Sequence, residues 1–286
     1  MKKKWVVFLA LVTVVALDAC SSENNQGTTE ESDDQVVHIG SVGADADIWN
    51  FIANSDAAEE AGITIEVEDI EDGVAKNTAT VDEDIDANAF QTIGYLESFN
   101  EDSAEKLEPV ATTYVEPVGI YSDKYNTLDE VEDHAVVALA DNPADGARQL
   151  RVLEKAKLIE LDEDFEDGVG TVDDISENPK NLEFELIDDW TGPRILQDVD
   201  MALIGNTIAL EGGLNVLNDA IYREKADESN RINLNVIAVK DGRQDEEKLQ
   251  KLGEVYHDPE VQEYIDDEFD GTKVEVEIPV NDIWSS

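Results

Sequence analysis

The run Ala135-Val136-Val137-Ala138-Leu139-Ala140 limits the possible folds more than any other stretch. An unbroken apolar run of this kind is the pattern of a strand covered on both faces, and such strands belong to parallel sheets flanked by helices. Asp141-Asn142-Pro143-Ala144-Asp145-Gly146 ends it as a turn. Beyond the turn, Leu150, Leu153 and Ala156 fall near the three-and-four spacing of a helix that also carries Arg148, Arg151 and Glu154. Asp145 is the candidate N-cap, which puts Arg148 on the first turn. A cation there opposes the helix dipole and calls for an anionic partner. Two partners fit: one of the chain's own carboxylates, or the carboxylate of a small ligand lying between the free N–H groups of the helix start and the Arg148 fork.

The same alternation runs along the chain. Val36 to Ser41 reads as a first strand, Ala44 to Ala61 as a helix stopped by Gly62, and Ile63 to Glu68 as a half-buried second strand. Strand, helix and strand at this spacing form a parallel unit, with ligands expected beyond the carboxyl ends of its strands. Asp72 to Val81 follows as a helix and Ile85 to Phe90 as a brief strand, while Leu107 to Val110 and Val118 to Tyr121 are strand-like. Farther on, Thr171 is expected to cap a helix through a capping box closed by Asp174, and Pro259 to open one capped by Asp258. Met201 to Ile204 and Asn235 to Val239 are apolar strands, and Thr272 to Ile278 alternates as an edge strand. The class is α/β with two sheets. Passages near Ser122 to Val131 and Asn230 to Leu234 divide the chain into two hinged lobes, 36–124 with 233–286 and 125–232, and a small ligand is expected in the cleft between them.

Ahead of this globule, Lys2, Lys3 and Lys4, the apolar run Trp5 to Ala16 and Leu17-Asp18-Ala19-Cys20 have the layout of a secretory leader over residues 1–19. The tetrapeptide resembles the lipobox of bacterial lipoproteins, although Asp18 is uncommon at its place. Cys20 is the only cysteine, so no internal disulfide can form. Residues 20–35 read as a lipidated N-terminus and polar tether, holding the protein on the outer face of the cell membrane through lipid on Cys20. The formal net charge is −49, from 69 acidic and 20 basic residues. It opposes binding to nucleic acid, and its self-repulsion, which salt screens, points to a saline medium. No Asp-x-Asp-x-Asp-Gly loop with a closing glutamate organises the acid into a calcium site.

Catalytic patterns are thin. His38, His134 and His257 are far apart, and no GxSxG, HExxH or GxGxxG string occurs. No catalytic group, cofactor or metal is expected. What remains points to recognition: Phe90, Tyr95, Tyr114 and Trp190 lie at strand ends or in loops and are candidates to line a pocket. Asn88, Asn142, Asn206 and Thr207 sit at strand exits, able to orient an amine or a carboxylate. Each aromatic taken alone reads first as a core or interface residue, and each polar group serves equally well as a turn former.

Four strings carry a family resemblance: DANAFQTIGYLESFN at 86–100, YVEPVGIYS at 114–122, NPADGARQLRVLEKAKLI at 142–159 and GPRILQDVDMALI at 192–204, joined by IALEGGLN at 208–215. Over roughly Val36 to Val280 the chain resembles the NlpA/MetQ family of substrate-binding lipoproteins, which deliver methionine and related compounds to an ABC importer. The resemblance implies a two-lobed, hinged fold of the type II periplasmic-binding-protein kind, no enzyme activity, and a permease with its ATPase as partners. It also implies that Arg148 grips the carboxylate of a small zwitterionic amino acid or peptide, Asp145 or Asn206 holds the amine, and Phe90, Tyr95 and Tyr114 contact the side chain. The pattern departs from the family where Ala89, Thr92 and Gly94 replace its tyrosine, histidine and proline, where Asp145 replaces an asparagine, and where Asp45 stands for an early histidine. Those changes shrink aromatic walls and add acid, which leaves open a ligand other than methionine, or a surface adhesion or signalling role with the ligand lost.

Overall fold

The computed structural model describes residues 35–226 and 230–284. The leader, Cys20 and the tether, on which the lipid-anchor expectation rests, lie outside the described residues. The chain begins with β1 (Val36–Ser41), α1 (Gly43–Ile52), α2 (Asp56–Ala61), β2 (Thr64–Asp69), α3 (Gly73–Val81), β3 (Ala87–Thr92), α4 (Ile93–Asp102) and β4 (Leu107–Thr112). It then passes through β5 (Tyr114–Val115) into β6 (Val118–Tyr121), β7 (Val136–Ala140), α5 (Pro143–Lys155), β8 (Glu160–Leu161), β9 (Ile175–Glu177) and β10 (Glu183–Ile187). There follow α6 (Gly192–Ile195), β11 (Met201–Gly205), α7 (Asn206–Glu211), β12 (Tyr222–Arg223), β13 (Asn235–Lys240), α8 (Glu247–Tyr256), α9 (Pro259–Glu268), β14 (Val274–Glu275) and α10 (Val280–Ile283).

Two five-stranded mixed sheets result, in the orders β2-β1-β3-β13-β4 and β10-β7-β11-β6-β12. In each, three neighbouring strands are parallel and the fourth is antiparallel to them: the late strand β13 in the first sheet and the early strand β6 in the second. The opening apolar run behaves as its composition dictates. Val137 and Leu139 are buried, and Leu150 and Leu153 of α5 pack onto them with Met201. Burying each such side chain contributes about 1.5–3 kcal/mol. Ile39, Ile48, Trp49 and Ile237 anchor the core of the first sheet in the same way.

Several boundaries differ from the sequence reading. Ala44 to Ala61 is two helices, because Ser55 caps α2 by accepting from the Ala58 N–H; Gly62 ends it with φ +67°. The cap of α5 is Asn142, whose side chain accepts from the Asp145 N–H, and Pro143 is the first helical residue. Proline has no N–H to leave orphaned and its φ suits a helix start, so the helix begins earlier than expected. Asp145 is therefore on the first turn, where an anion is favourable, and Arg148 comes one turn later, largely free of the dipole conflict. Thr171 and Asp174 do form a capping box, but around a single 3-10 turn. Val118–Tyr121, expected within lobe 36–124, pairs with β11 and β12 in the second sheet. The first passage between sheets thus lies at residues 113–117.

Candidate functional site

The carboxyl ends of β1, β2 and β3 in one sheet and of β7, β10 and β11 in the other open onto a shared cavity of about 270 Å³. Chain reversal at strand ends leaves N–H groups and short polar side chains there, which is why open α/β sheets bind ligands at this place. Val42 and Asp45 follow β1, Glu71 and Asp72 follow β2, and Phe90 to Tyr95 close β3. Opposite them, Asn142, Asp145 and Arg148 follow β7, Asp188 to Trp190 follow β10, and Thr207 follows β11.

Of the residues expected to bind, Phe90, Tyr95, Asp145, Arg148 and Thr207 line this cavity together, as do Asn142 and Trp190. Phe90 and Tyr95 meet edge to face at 5.7 Å between ring centres. Gly73 lets the Tyr95 hydroxyl come close, since a Cβ there would stand 2.6 Å from it. Burial first, and then the charges of Asp145, Asp189, Asp72 and Asp141, push the Tyr95 hydroxyl well above its usual pKa.

Asn88, Asn206 and Tyr114 are placed differently: all three are buried and none lines the cavity. The Asn88 amide donates to Asn77 Oδ1 and Thr80 Oγ1 at 3.0 and 2.7 Å and accepts from Gln91, fixing α3 on β3 and orienting Gln91 at the wall. Tyr114 donates to Asp45 Oδ1 at 2.7 Å. Asn206 donates to Glu116 Oε2 at 3.0 Å and to Thr272 Oγ1 at 3.1 Å. Each serves buried partners, as polar groups out of water must, although Asn206 Oδ1 itself is closed off from solvent without a hydrogen-bond partner among the described residues.

Arg148 finds both kinds of surroundings considered for it. Its Nε and Nη2 donate to Glu224 Oε1 at 2.9 and 2.6 Å, and Nη2 also donates to the Glu116 carbonyl at 2.6 Å. The two side chains are only 11% and 4% exposed. Nη1 has no hydrogen bond among the described residues, and Arg148 still lines the cavity.

A second buried cation holds the back of the cleft. Lys273 Nζ donates to Asp45 Oδ1 at 3.0 Å, Glu116 Oε2 at 2.9 Å and Thr207 Oγ1 at 2.7 Å. It stands 3.9 Å from the Tyr114 ring centre. Burial pushes the Lys273 ammonium down, but Asp45 and Glu116 outweigh that and hold its pKa above the ordinary value. Glu116, despite burial, is held below the usual carboxylate range by Lys273, Asn206 and Thr207. One ammonium does not compensate two carboxylates, and Asp45 is the one raised, mainly by burial. This network links α1 of the first sheet to α7 of the second, helices that also pack together where Gly43 (φ +54°) leaves room for Glu211.

Glu116, Glu224 and Lys273 escaped sequence reasoning. Nothing separates Glu116 and Glu224 from the many other acids. Lys273 lies in an alternating segment whose pattern turns Val274 inward, yet Lys273 is buried and Val274 is 38% exposed. Only the pair Val274–Glu275 is a strand there, joined to β5. Away from the cleft, His257, Glu275 and Glu277 are the one grouping among the described residues that brings metal-type donor atoms within 4.8 Å of one another. His257 is already engaged there by Glu275 Oε1 at 2.8 Å and the Thr112 carbonyl at 2.9 Å.

Comparison with known proteins agrees with this architecture. The family described as NlpA lipoprotein matches residues 37–277. The methionine-binding lipoprotein MetQ of Bacillus subtilis strain 168 is 33% identical over 279 residues, covering 96% of this chain and 99% of MetQ. The D-methionine-binding lipoprotein MetQ of Escherichia coli K12 is 35% identical over 271 residues, 93% of this chain and 94% of that protein. Among solved structures, a nutrient-binding protein from Burkholderia cenocepacia bound to methionine superposes with a TM-score of 0.79 at 33% identity, covering 84% of this chain and 99% of the other. The type II two-lobed fold anticipated from the quoted strings is therefore the fold observed, and the chain belongs to the NlpA lipoprotein family.

Proposed function

We propose that this protein captures a small amino acid, or a short peptide with free termini, in the cleft between its two sheets and delivers it to an ABC permease. The observation that carries the reading is Arg148 on the wall of a cavity at the strand carboxyl ends, a wall that Phe90 and Tyr95 also line, with Nη1 making no hydrogen bond among the described residues. Arg148 takes the ligand carboxylate through Nη1, a charge-assisted bond of the strong kind. Asp145 faces the ammonium, with Thr207 and the buried Asn206 holding the surrounding network in place. Phe90, Tyr95 and Trp190 contact the side chain, and Asn88 and Tyr114 act from behind the wall by positioning Gln91 and Asp45. Closure of the two halves on the ligand shifts the population toward the form the permease engages. The chemistry of the site is binding, and methionine is the leading ligand by likeness to the named relatives.

Mass spectrometry of small molecules released on denaturing the purified protein, followed by calorimetry with L-methionine, D-methionine and glycyl-methionine, tests this. Arg148→Ala is expected to weaken a carboxylate ligand by about 2–3 kcal/mol or more. Wild-type affinity in that variant removes Arg148 from the site, and failure of every amino acid and dipeptide to bind removes the capture reading.

A further inference from the structure

We propose a metal site away from the cleft: His257, Glu275 and Glu277 bind a divalent transition-metal ion of the zinc class beside the passage between the two sheets. Each of the three offers one donor atom, and these atoms lie within 4.8 Å of one another. The backbone that carries them is fixed. With Val276 turned inward and 2% exposed, Glu275 and Glu277 lie together on the outer face of their segment. On either side of Glu277, the Val276 N–H donates to the Thr113 carbonyl at 2.9 Å and the Ile278 N–H to Thr112 Oγ1 at 3.0 Å. His257 stands at the end of α8, where its own N–H donates to the Gly253 carbonyl and its ring meets Tyr256 edge to face at 5.4 Å.

The hydrogen bonds of the ring point to a cation. The Thr112 carbonyl, 2.9 Å from Nε2, can only accept, so Nε2 carries a hydrogen. Nδ1 is thereby presented to Glu275 Oε1 at 2.8 Å. This is the arrangement of a metal-bound imidazole, whose far N–H is held by a carbonyl while the other nitrogen faces the ion. A proton on Nδ1 would satisfy Glu275 alone. Glu277 makes no hydrogen bond or ion pair among the described residues, yet its carboxylate converges on the same point.

Two carboxylates and a neutral imidazole balance the charge of a divalent ion, and a nitrogen donor selects zinc-class ions over calcium and magnesium. Metal–ligand bonds of about 2.0–2.2 Å place neighbouring donors roughly 3–3.5 Å apart, so the exposed Glu277 side chain has only to swing inward, and water completes the shell on the open side. The consequence is mechanical. Glu275 belongs to β14, which pairs with β5 in the passage at 113–117, and Lys273, the partner of Asp45 and Glu116, immediately precedes β14. An ion here fastens α8 to the segment that braces the passage, whatever the cleft binds.

Calorimetric titration of the untagged, metal-stripped full chain in detergent with zinc chloride tests the proposal, with calcium and magnesium in excess to occupy scattered surface acids. One zinc ion per chain is expected, and of the three histidines only the imidazole NMR signals that vanish in His257→Gln are expected to shift. Glu275→Gln and Glu277→Gln each weaken zinc binding by at least about tenfold, whereas Glu263→Gln, at an exposed acid on α9, leaves it unchanged. Zinc raises the melting temperature of the wild type and loses that effect in Glu277→Gln. Melting without zinc checks that the variants are folded. Wild-type zinc affinity in Glu277→Gln reduces the cluster to an imidazolium paired with Glu275 and overturns the site. So does a failure to bind zinc, or zinc uptake that leaves the His257 signals unmoved.

Discussion

Two lysines buried in this structure have opposite electrostatic situations. Lys273 holds two carboxylates together, whereas Lys76 is 0% exposed and its ammonium has no hydrogen-bond partner among the described residues, with the Phe90 ring centre at 4.1 Å. Burial lowers the pKa of Lys76 from 10.5 to about 8, with Asp45, Asp69 and Asp72 opposing. Because the folded form gives up its proton more readily than the unfolded chain, Lys76 costs stability below pH 8, and the cost disappears as pH rises from about 8 to 10.5. Lys76→Met is expected to stabilise the protein at pH 7 by up to about 3 kcal/mol, with the gain fading toward pH 10. Lys273→Met is expected to destabilise it by about 3–5 kcal/mol at pH 7, because it strands two buried carboxylates. The Lys273→Met cost shrinks on acidification as Asp45, already raised by burial, takes up a proton. Urea midpoints at several pH values measure both; a change of the same sign in the two variants contradicts the argument.

At the scale of elements, helix α5 shows what the sequence discloses and what it conceals. An apolar run and a three-and-four spacing were enough to place β7, the turn and α5; strand-end position singled out Phe90, Tyr95 and Thr207, the helix start singled out Arg148, and Asp145 entered as a ligand residue only through the family resemblance. The cap was missed because Asn142 and Asp145 both suit the role, and Pro143 decides between them. Asn142 also donates to Asp189, so it joins the helix start to the loop after β10. Asn142→Ala is expected to cost about 1–2 kcal/mol in chemical denaturation through loss of the cap. A cost near zero would mean that another group closes the helix. Asn88, Asn206 and Tyr114 were legible as important but not as buried, since a polar residue near a strand end faces either way until the neighbouring helix is known. Glu224 and Lys273 depended on contacts between segments far apart in the chain, which no local pattern contains.

At the scale of the whole molecule, a net charge of −49 dominates. Most of these acids are solvated, and their mutual repulsion acts over about 10 Å at 0.1 M salt and about 3 Å at 1 M. Melting is therefore expected at higher temperature in about 2 M sodium chloride than in about 0.1 M, and equal or lower stability in the concentrated salt contradicts this. The hydrophobic cores under each sheet are ordinary in composition, so the gain belongs to the surface rather than to packing.

Strand β13 lies between β3 and β4, although it comes from residues 235–240, and it pairs Asn235 with Thr92 and Lys240 with Leu107. The inner strand that joins β4 to the rest of the first sheet is thus supplied by a segment far along the chain from both of its neighbours. Until that segment docks, β3 and β4 each keep an unpaired edge. Such distant pairing slows folding.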